Sequence, residues 1–420
     1  MGLVMIIAPV LLLLLGYPVF ICFLGTSAIL LIWFMEIPLA ALPQVMFGSV
    51  DKYTLLAVPF FIFAGEVMGR GGISKRIIRW VLSMFGGVRG SLGLTTVGTC
   101  EFFGAISGSS PATVAAVGRV MYPALRENGY EERFSLGLVT ASGAIAGVIP
   151  PSIVMILYGA SAEQSVAHLF IAGFFPGILI GLLMAAYILW YAKNRDIPVT
   201  ERFDRKVFFQ ATLNGAWALG TPLVILGGIY TGVFTPTEAA GIAGAYGLLV
   251  TLFIYRDINW KGIWEVAINA TYLTSQIMII VASSGVFSWI LTVAGIPDIM
   301  VSFIQRFNVP PWGTLVIINI FLIIVGALID PTSAILVLTP LLLPIVKSLG
   351  VDLIHFGIIM AVNLALGMFT PPFGLNIFVS QSLFKVPAVR IVPGVMPFVG
   401  LQVIALALIT FIPEISLYLT

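Results

Sequence analysis

The chain carries little charge. Of its 420 residues, 9% are Asp, Glu, Lys or Arg and 60% are hydrophobic, whereas soluble domains average about 25% charged residues. The mean hydropathy is +1.10. This composition excludes a water-soluble globular protein and predicts that a lipid bilayer surrounds most of the chain. A net charge of +2, with no basic patch interleaved with aromatic residues, gives no reason to expect a nucleic-acid partner.

Cysteine and histidine are also scarce, with two of each. Cys22 and Cys100 lie in apolar runs and are predicted to be packing residues, so no disulfide framework is indicated. With His168 and His355 they form no metal-binding spacing, and the only metal expected is Na⁺. No Gly-x-x-x-x-Gly-Lys-Ser/Thr phosphate loop is present, so no ATP is expected as a cofactor. The first residues lack the basic segment of a cleavable signal peptide, so the first apolar stretch is expected to remain a membrane helix.

Apolar runs predict an all-α polytopic membrane protein with about ten to eleven transmembrane helices. A spanning helix needs about 20 apolar residues, and the candidate spans are 3–15, 18–35, 53–69, 134–158, 170–192, 213–230, 238–255, 263–292, 356–380 and 394–412. Two other apolar regions, about 90–125 and about 311–350, have polar centres. Each is predicted to be a re-entrant hairpin, because a polar tip inside a bilayer must be buried against protein.

The strongest pattern in the sequence is an internal repeat. Residues 104–111 (Gly-Ala-Ile-Ser-Gly-Ser-Ser-Pro) correspond to residues 326–333 (Gly-Ala-Leu-Ile-Asp-Pro-Thr-Ser), 222 positions later, and Pro150-Pro151 corresponds to Pro371-Pro372, 221 positions later. Polar, Gly- and Pro-interrupted segments at corresponding places in two hydrophobic halves are typical of a transporter binding site. We therefore predict a first repeat at 1–192, a cytoplasmic linker at 193–210 and a second repeat at 211–420.

Charge asymmetry gives the topology. If the loop 193–206 is cytoplasmic, alternation of the spans places 17 of the 20 Lys and Arg residues on the inside, as the positive-inside rule requires. The exceptions are Lys52, Arg306 and Lys347. This threading inverts the second repeat relative to the first. The hairpins and Pro-Pro helices, 90–158 and 311–380, would form the moving part, which the amphipathic stretches 73–88 and 296–309 would connect to a scaffold of the remaining spans.

Broken membrane helices suggest the chemistry. Freed carbonyls and hydroxyls coordinate Na⁺, and half-helix N-termini attract anions. Each repeat has one hairpin tip and one Pro-Pro break, which we call a tip-and-break pair. Two such pairs predict two or more Na⁺ ions flanking one substrate. The predicted ligands of the first cation site are Ser107, Ser110, Gly143 and Pro150. Those of the second are Gly326, Asp330, Thr332, Met368 and Thr370. The predicted substrate contacts are Ser109, Thr113, Ser142, Ser333, Asn363 and Arg119. The alternative is that these small polar residues serve close helix packing.

Four acidic residues lie in or beside apolar segments, where an ionisable group is a functional candidate. Asp330 is the strongest because it lies at a hairpin tip. Glu238 is predicted to cap a helix with Thr235 or Thr237. Glu66 and Glu101 are either functional or paired with interfacial basic residues. Arg119 is likewise open: it either contacts a substrate carboxylate or anchors the hairpin at the interface.

Several motifs together resemble the large membrane subunit of tripartite ATP-independent periplasmic (TRAP) transporters. They are Gly-Ala-Ile-Ser-Gly-Ser-Ser-Pro-Ala-Thr at 104–113, Tyr-Pro-Ala-Leu-Arg-Glu-Asn-Gly-Tyr at 122–130, Ile-Pro-Pro-Ser-Ile at 149–153, Phe-Thr-Pro-Thr-Glu-Ala at 234–239, Gly-Ala-Leu-Ile-Asp-Pro at 326–331 and Asn-Leu-Ala-Leu-Gly-Met-Phe-Thr-Pro-Pro at 363–372. The similarity runs over essentially the whole chain.

The resemblance implies an elevator-type transporter and Na⁺-coupled import of an organic acid, such as a C4-dicarboxylate or sialic acid, across the bacterial inner membrane. It also implies two partners, a small four-helix membrane subunit and a periplasmic substrate-binding protein. No additional helices precede the first span, so the small subunit is expected to be a separate chain. The alternative is a Na⁺/carboxylate symporter or antiporter that works without a binding protein. A membrane enzyme is disfavoured by the histidine positions, and a channel by the internal repeat.

Overall fold

The computed structural model describes residues 1–35, 37–199, 203–306 and 309–420. Within these ranges every regular element is helical. The first half contains α1 (Gly2–Leu14), α2 (Val19–Leu30), α3 (Ala41–Val50), α4 (Ala57–Arg70), α5 (Ile73–Met84), α6 (Ser91–Ser107), α7 (Ser110–Glu127), α8 (Glu132–Ser142), α9 (Ile153–Ala162) and α10 (Val166–Asn194). The second contains α11 (Arg205–Tyr230), α12 (Pro236–Leu249), α13 (Trp260–Val293), α14 (Ile296–Arg306), α15 (Pro311–Leu328), α16 (Pro331–Ser348), α17 (Leu353–Gly367), α18 (Leu375–Phe384), α19 (Ala388–Phe411) and α20 (Glu414–Leu417).

The predicted polytopic fold is confirmed. In the described part of the chain, eight helices are long and apolar enough to cross a membrane. Six lie outside the hairpins, and α1, α2 and the two Pro-Pro helices supply the shorter spans. Short helical turns extend three elements: a 3₁₀ turn at Tyr53–Leu56 before α4, and π turns at Leu31–Met35 and Val250–Ile254 after α2 and α12. The sequence patterns missed α3, which has only ten residues.

Both hairpins form where the sequence predicted them, and local chemistry sets their tips. Helix α6 ends at Gly108, whose left-handed backbone (φ +57°) suits a residue without Cβ. Pro111 then lies in the first turn of α7, directly after Ser110, where proline is tolerated. In the second hairpin, Ile329 is extended, Asp330 caps α16 and Pro331 occupies its first position.

Each Pro-Pro pair interrupts a span near its middle. The first span consists of α8, a 3₁₀ turn at Gly143–Gly147 and α9. The second consists of α17 and α18, separated by residues 368–374. Proline cannot donate the helical hydrogen bond and restricts the residue before it, so two in succession end a helix. Both Pro-Pro peptide bonds are cis.

The two broken spans run antiparallel, as an inverted repeat requires. Tyr158, in the last turns of α9, donates a hydrogen bond of 2.6 Å to the carbonyl of Leu353 at the start of α17. At the opposite end, Arg390, in the first turn of α19, which follows α18 after a short loop, pairs with Glu132 at the start of α8 (3.7 Å). The order of elements from α5 to α10 is repeated from α14 to α19, and a positive-φ glycine, Gly72 or Gly295, precedes each amphipathic helix.

The helices form two groups, which we call the scaffold (α1–α4 and α11–α13) and the hairpin body (α6–α10 and α15–α19). The groups meet chiefly where α4 packs on α6 and α13 on α16, and the amphipathic helices α5 and α14 contact both. One difference from the expected division concerns α10 and α19. They pack mainly on α6, α8 and α17, so both belong with the hairpins and not with the scaffold.

Ion pairs connect segments that the charge threading places on one side of the membrane. All five pairs found among the described residues join two predicted cytoplasmic segments: Arg70–Glu265, Arg76–Asp257, Arg89–Asp196, Arg195–Glu131 and Arg390–Glu132. On the predicted outer side, Lys52 of the scaffold donates to the carbonyl of Ala160 at the end of α9 (2.7 Å). Arg202, another residue of the predicted inside set, lies outside the described residues.

Candidate functional site

The first hairpin tip is closed by its own hydroxyl groups. The Ser107 Oγ lies 3.1 Å from Thr113 Oγ1, and the Thr113 hydroxyl donates to the carbonyl of Ser109 (2.8 Å). The backbone N–H of Ser109 donates to Ser107 Oγ (3.4 Å). Ser107 and Thr113 are buried, and Ser109 is half-buried. Three of the predicted site residues, Ser107, Ser109 and Thr113, therefore lie together at this tip.

This tip packs directly on the break of the first Pro-Pro helix. A Cβ added to Gly108 would lie 2.6 Å from the carbonyl oxygen of Pro151. A Cβ on Gly143 would lie 3.3 Å from the carbonyl oxygen of Ser110. The absence of side chains at both glycines thus permits the close approach, which brings the segments of Ser107, Ser110, Gly143 and Pro150 together near the middle of a membrane span.

Asn376, which sequence reasoning missed, joins this tip to the other repeat. Its Nδ2 donates to Ser110 Oγ (2.8 Å) and to the Thr140 carbonyl (3.1 Å), and its backbone N–H donates to the Met368 carbonyl (2.8 Å). Asn376 is fully buried. Its one visible signal was an amide directly after a Pro-Pro break. The side chain and the backbone N–H of this one residue therefore join the first tip to the second break.

The second tip-and-break pair is built by backbone contact. Gly326 and Gly367 touch so closely that a Cβ on Gly367 would overlap the Gly326 carbonyl. The N–H of Phe373 donates to the carbonyl of Ala327 (3.2 Å). Met368 follows Gly367, and the Thr370 hydroxyl donates to the Leu366 carbonyl (2.7 Å). Gly326, Met368 and Thr370 are thus brought to one junction.

Asp330 lies at the second tip as predicted, where it caps α16. Its carboxylate accepts from the N–H of Ser333 (3.0 Å) and from the Ser333 hydroxyl (2.5 Å). Ser333 is fully buried, while Asp330 and Thr332 are half-buried. The cap leaves further lone pairs on the carboxylate, because each oxygen can accept more than one hydrogen bond. Asp330 can therefore cap the helix and face a cation at once.

Two predicted substrate contacts are deeply buried. Asn363 donates to Asn319 Oδ1 (2.8 Å) and to the Ile359 carbonyl (2.9 Å), and Asn319 donates to Thr410 Oγ1 (2.9 Å), so the Asn363 amide lies in a polar chain between α15, α17 and α19. Its Oδ1 and the Ser142 hydroxyl have no hydrogen-bond partner among the described residues. Neither side chain is exposed in this conformation.

Arg119 is exposed and lines a cleft of about 570 Å³ between scaffold and hairpin body. The cleft also contains Glu66, Arg70 and Lys75, and its lining reaches Gly65, where a Cβ would lie 3.0 Å from the Ser107 Cα. A basic cleft thus adjoins the first tip. Arg119 has no ion-pair partner among the described residues, which leaves it free to attract an anion.

The remaining acidic candidates differ in role. Glu238 forms the predicted cap: Thr235 and Glu238 make a reciprocal capping box at the start of α12. Neither Glu66 nor Glu101 forms an ion pair with a residue that the structure describes. Glu66 lines the basic cleft, and Glu101 packs on α10 at Gly181. The pairing of these two residues with interfacial cations is not observed.

The donor set at both junctions suits an alkali cation. It consists of neutral carbonyl and hydroxyl oxygens with at most one carboxylate, Asp330. Within the described ranges no three His, Cys, Asp or Glu side chains are grouped as a transition-metal site would require. The arrangement can coordinate a hard monovalent cation and, through the basic cleft, attract an anion.

Comparison with known proteins decides the family. The model of the family described as "Tripartite ATP-independent periplasmic transporter, DctM component" matches residues 5–415. The chain belongs to this family. As a DctM-family protein it is a multi-pass membrane component of a transporter and not an enzyme, as the sequence predicted.

Similar proteins agree with this assignment. The isethionate TRAP transporter permease protein DctMQ of Oleidesulfovibrio alaskensis is 40% identical over 385 residues, which are 91% of this chain but 60% of that protein. The C4-dicarboxylate TRAP transporter large permease protein DctM of Pseudomonas aeruginosa is 38% identical over 397 residues, covering 94% of this chain and 93% of that one.

The fold of this DctM-family chain also has a solved counterpart. The YdaH transporter of Alcanivorax borkumensis superposes with a TM-score of 0.64 over 97% of this chain and 100% of that chain. The two sequences are 14% identical, so the likeness concerns the fold alone.

Proposed function

We propose that this chain is the large membrane subunit of a Na⁺-coupled importer of a small organic anion in the bacterial inner membrane. The substrate class is an organic acid, a C4-dicarboxylate or a larger carboxylate such as sialic acid. Two or more Na⁺ ions bind at the two tip-and-break junctions, and the anion binds between them. The hairpin body carries this site past the scaffold in an elevator motion.

One observation carries the proposal: oxygens from both repeats converge through Asn376. The Asn376 side chain contacts Ser110 of the first tip and the carbonyl of Thr140 in α8, and its backbone N–H donates to the carbonyl of Met368. The carbonyl oxygens of Thr140 and Met368 each keep a second lone pair beside the hydrogen bond from Asn376, and polar groups without partners at a break in a membrane helix are costly, on the order of several kcal/mol each. A bound Na⁺ would satisfy several at once. Cation binding would therefore order the groups that frame the substrate, which is the basis of coupling.

An anionic substrate is supported by charge. The cleft beside the first tip contains Arg70, Lys75 and Arg119, with Glu66 as its acidic residue. Substrates named for the relatives, isethionate and C4-dicarboxylates, are also anions. Arg119 would attract the anion toward the tip. Na⁺ itself would neutralise part of the substrate charge within the membrane.

Two partners complete the proposed assembly. A small four-helix membrane subunit would cover apolar scaffold surface, and a periplasmic protein would deliver the substrate. The scaffold offers such a surface on α13, where Trp264, Ile268 and Tyr272 are spaced four residues apart and are exposed at 70%, 54% and 64%. The family is that of a tripartite transporter, and one relative carries the name DctMQ.

Reconstitution tests this function. The chain is placed in proteoliposomes with and without its small subunit, and uptake of radiolabelled succinate and sialic acid is measured with and without the binding protein. An inward Na⁺ gradient should drive uptake of one of these acids when all three components are present. Uptake by the isolated chain without a binding protein would favour the symporter or antiporter alternative. Uptake that follows a pH gradient and ignores Na⁺ would refute Na⁺ coupling.

A further inference from the structure

A second cavity, which adjoins the cleft at the first tip and shares Arg70 and Lys75 with it, lies between the amphipathic helix α5 and the first half of α11. Its volume is about 890 Å³. Three membrane spans contribute to it near their ends: α4 at Arg70, the α12 span just before Tyr255, and α11 in its second and third turns, at Gln210 and Asn214. Because span ends mark the membrane boundary, the cavity lies at the depth of lipid headgroups.

The lining is strongly basic. Arg70, Lys75, Arg76 and Arg79 line the cavity, and Asp257 is the one acidic lining residue among those that the structure describes. Asp257 is committed to Arg76 (2.5 Å), which also stacks on the Tyr255 ring at 3.7 Å. Arg70 pairs with Glu265 from outside the cavity.

Two cations are left for a ligand. Lys75 and Arg79 are exposed and have no hydrogen-bond or ion-pair partner in the described part of the chain. They lie four residues apart, on one face of α5. The cavity therefore presents two uncompensated positive charges on adjacent turns of one helix.

The walls beside these charges are partly apolar. Leu82 of α5 and Val207 and Ala211 of α11 line the same cavity as Arg79. The opposite face of α5, with Ile73, Ile77, Ile78 and Val81, is buried in the protein. A free anion needs only the cations, whereas an amphiphile with an anionic head and an apolar tail also matches these walls.

We propose that this cavity binds one anionic phospholipid of the cytoplasmic leaflet. Its headgroup phosphate binds Lys75 and Arg79, polar headgroup atoms reach Gln210 and Asn214, and the glycerol and first methylenes pack on Leu82, Val207 and Ala211. The threading places all four lining cations on the inside, where the leaflet surface is negative. The lipid joins the connecting helix α5 to α11 of the scaffold, at the hinge that the hairpin body needs for its motion.

Native mass spectrometry of the full chain in detergent tests this site. The protein is titrated with dioleoyl phosphatidylglycerol and, separately, with dioleoyl phosphatidylcholine. The test variant is Lys75→Gln with Arg79→Gln. The matched control is Arg89→Gln with Lys193→Gln, which removes two exposed cations that do not line the cavity. Thermal shifts with sodium phosphate and with succinate form the third arm.

We expect one phosphatidylglycerol to bind the wild-type chain and the control more tightly than phosphatidylcholine. The test variant should lose roughly 30-fold in apparent affinity, which is about 2 kcal/mol at 1.4 kcal/mol per tenfold. Equal binding of phosphatidylglycerol to the test variant and the control would overturn the proposal, as would equal binding of the two lipids to wild type. A thermal shift with phosphate or succinate that vanishes both in the test variant and in Arg79→Gln, whose arginine lines this cavity and not the cleft at the first tip, would assign the cavity to a free anion and also overturn the proposal.

Discussion

The hydroxyl of Ser110 and the side-chain amide nitrogen of Asn376 lie 2.8 Å apart, although 266 residues separate them in the chain. The contact joins α7 of the first repeat to α18 of the second. Around it, both repeats supply backbone carbonyls, those of Thr140 and Met368. Any ligand that orders this junction therefore acts on both repeats at once.

A double-mutant cycle at this contact tests its role in cation binding. We expect Ser110→Ala and Asn376→Ala each to weaken the apparent Na⁺ affinity of uptake by about tenfold. The double variant should be little worse than either single one, a coupling of about 1 kcal/mol, because contacting residues are not additive. Ser380→Ala is the control. It removes a buried contact of 2.8 Å with Thr140 one turn further along α18 and should leave the Na⁺ dependence unchanged. Additive effects in the cycle would contradict the prediction.

At Asp330, the substitution by Asn separates the effect of the negative charge on cation binding from the effect of the helix cap on stability. Asn caps helices as well as Asp, so Asp330→Asn should retain α16 while removing the negative charge. A carboxylate about 4 Å from a cation contributes on the order of 4 kcal/mol at an effective dielectric constant of 20. The apparent Na⁺ affinity should therefore fall tenfold or more, with little change in thermal stability.

The capping box at α12 provides the control for Asp330. Thr235→Ala should cost about 1 kcal/mol of stability through the lost cap and leave the Na⁺ dependence intact. If Asp330→Asn and Thr235→Ala behave alike, with lower stability and unchanged Na⁺ dependence, Asp330 is a cap and not a ligand.

The contact between Gly326 and Gly367 predicts a graded response to alanine. A Cβ on Gly367 would overlap the Gly326 backbone, whereas a Cβ on Gly326 would lie 3.3 Å from the Gly367 Cα. Overpacking typically costs about 1–3 kcal/mol, and occasionally more. Gly367→Ala should thus lower the unfolding temperature in detergent more than Gly326→Ala. Gly227→Ala in α11 has no atom within 4 Å of its Cβ and should be neutral. The reverse order for the two site glycines would show that the junction is looser than described.

Cysteine labelling in intact cells tests the topology. Cys22 and Cys100 are both buried, so the background reaction of the chain should be low. Lys193→Cys and Lys206→Cys should react only with reagents that cross the membrane. Lys52→Cys should react with an impermeant maleimide. Labelling of Lys193→Cys or Lys206→Cys by the impermeant reagent would reverse the threading.

The sequence predicted the parts of this fold that are encoded locally. Gly108, Pro111 and the two Pro-Pro pairs end or start helices by their own backbone chemistry, so both hairpins and both breaks were found. Glu238 was assigned as a cap for the same reason. The ten residues of α3 were missed because hydropathy detects spans and not short helices.

Tertiary partners were not predictable in this way. Asn376 and Asn319 are single amides in apolar runs, and nothing nearby in the sequence indicates partners 266 and 91 residues away. Hydropathy identified α10 and α19 as spans but could not show whether they pack on the scaffold or on the hairpins. The predicted substrate contacts Asn363 and Ser142 are both buried. Asn363, in α17, is covered by α15 and α19, and Ser142 lies under the tip of the first hairpin.

Each hairpin packs on the Pro-Pro helix of the other repeat, and this exchange of contacts also affects how the protein is made. The second arm of the first hairpin packs on α18, and the second arm of the second hairpin packs on α9. During synthesis, Ser110 enters the membrane long before Asn376 exists. At 5–20 residues per second the interval is roughly 15–50 s. Throughout it, the Ser110 hydroxyl lacks its partner Asn376 and must be satisfied by water or by the insertion machinery. The first half thus has to wait for the second before its folding can be completed.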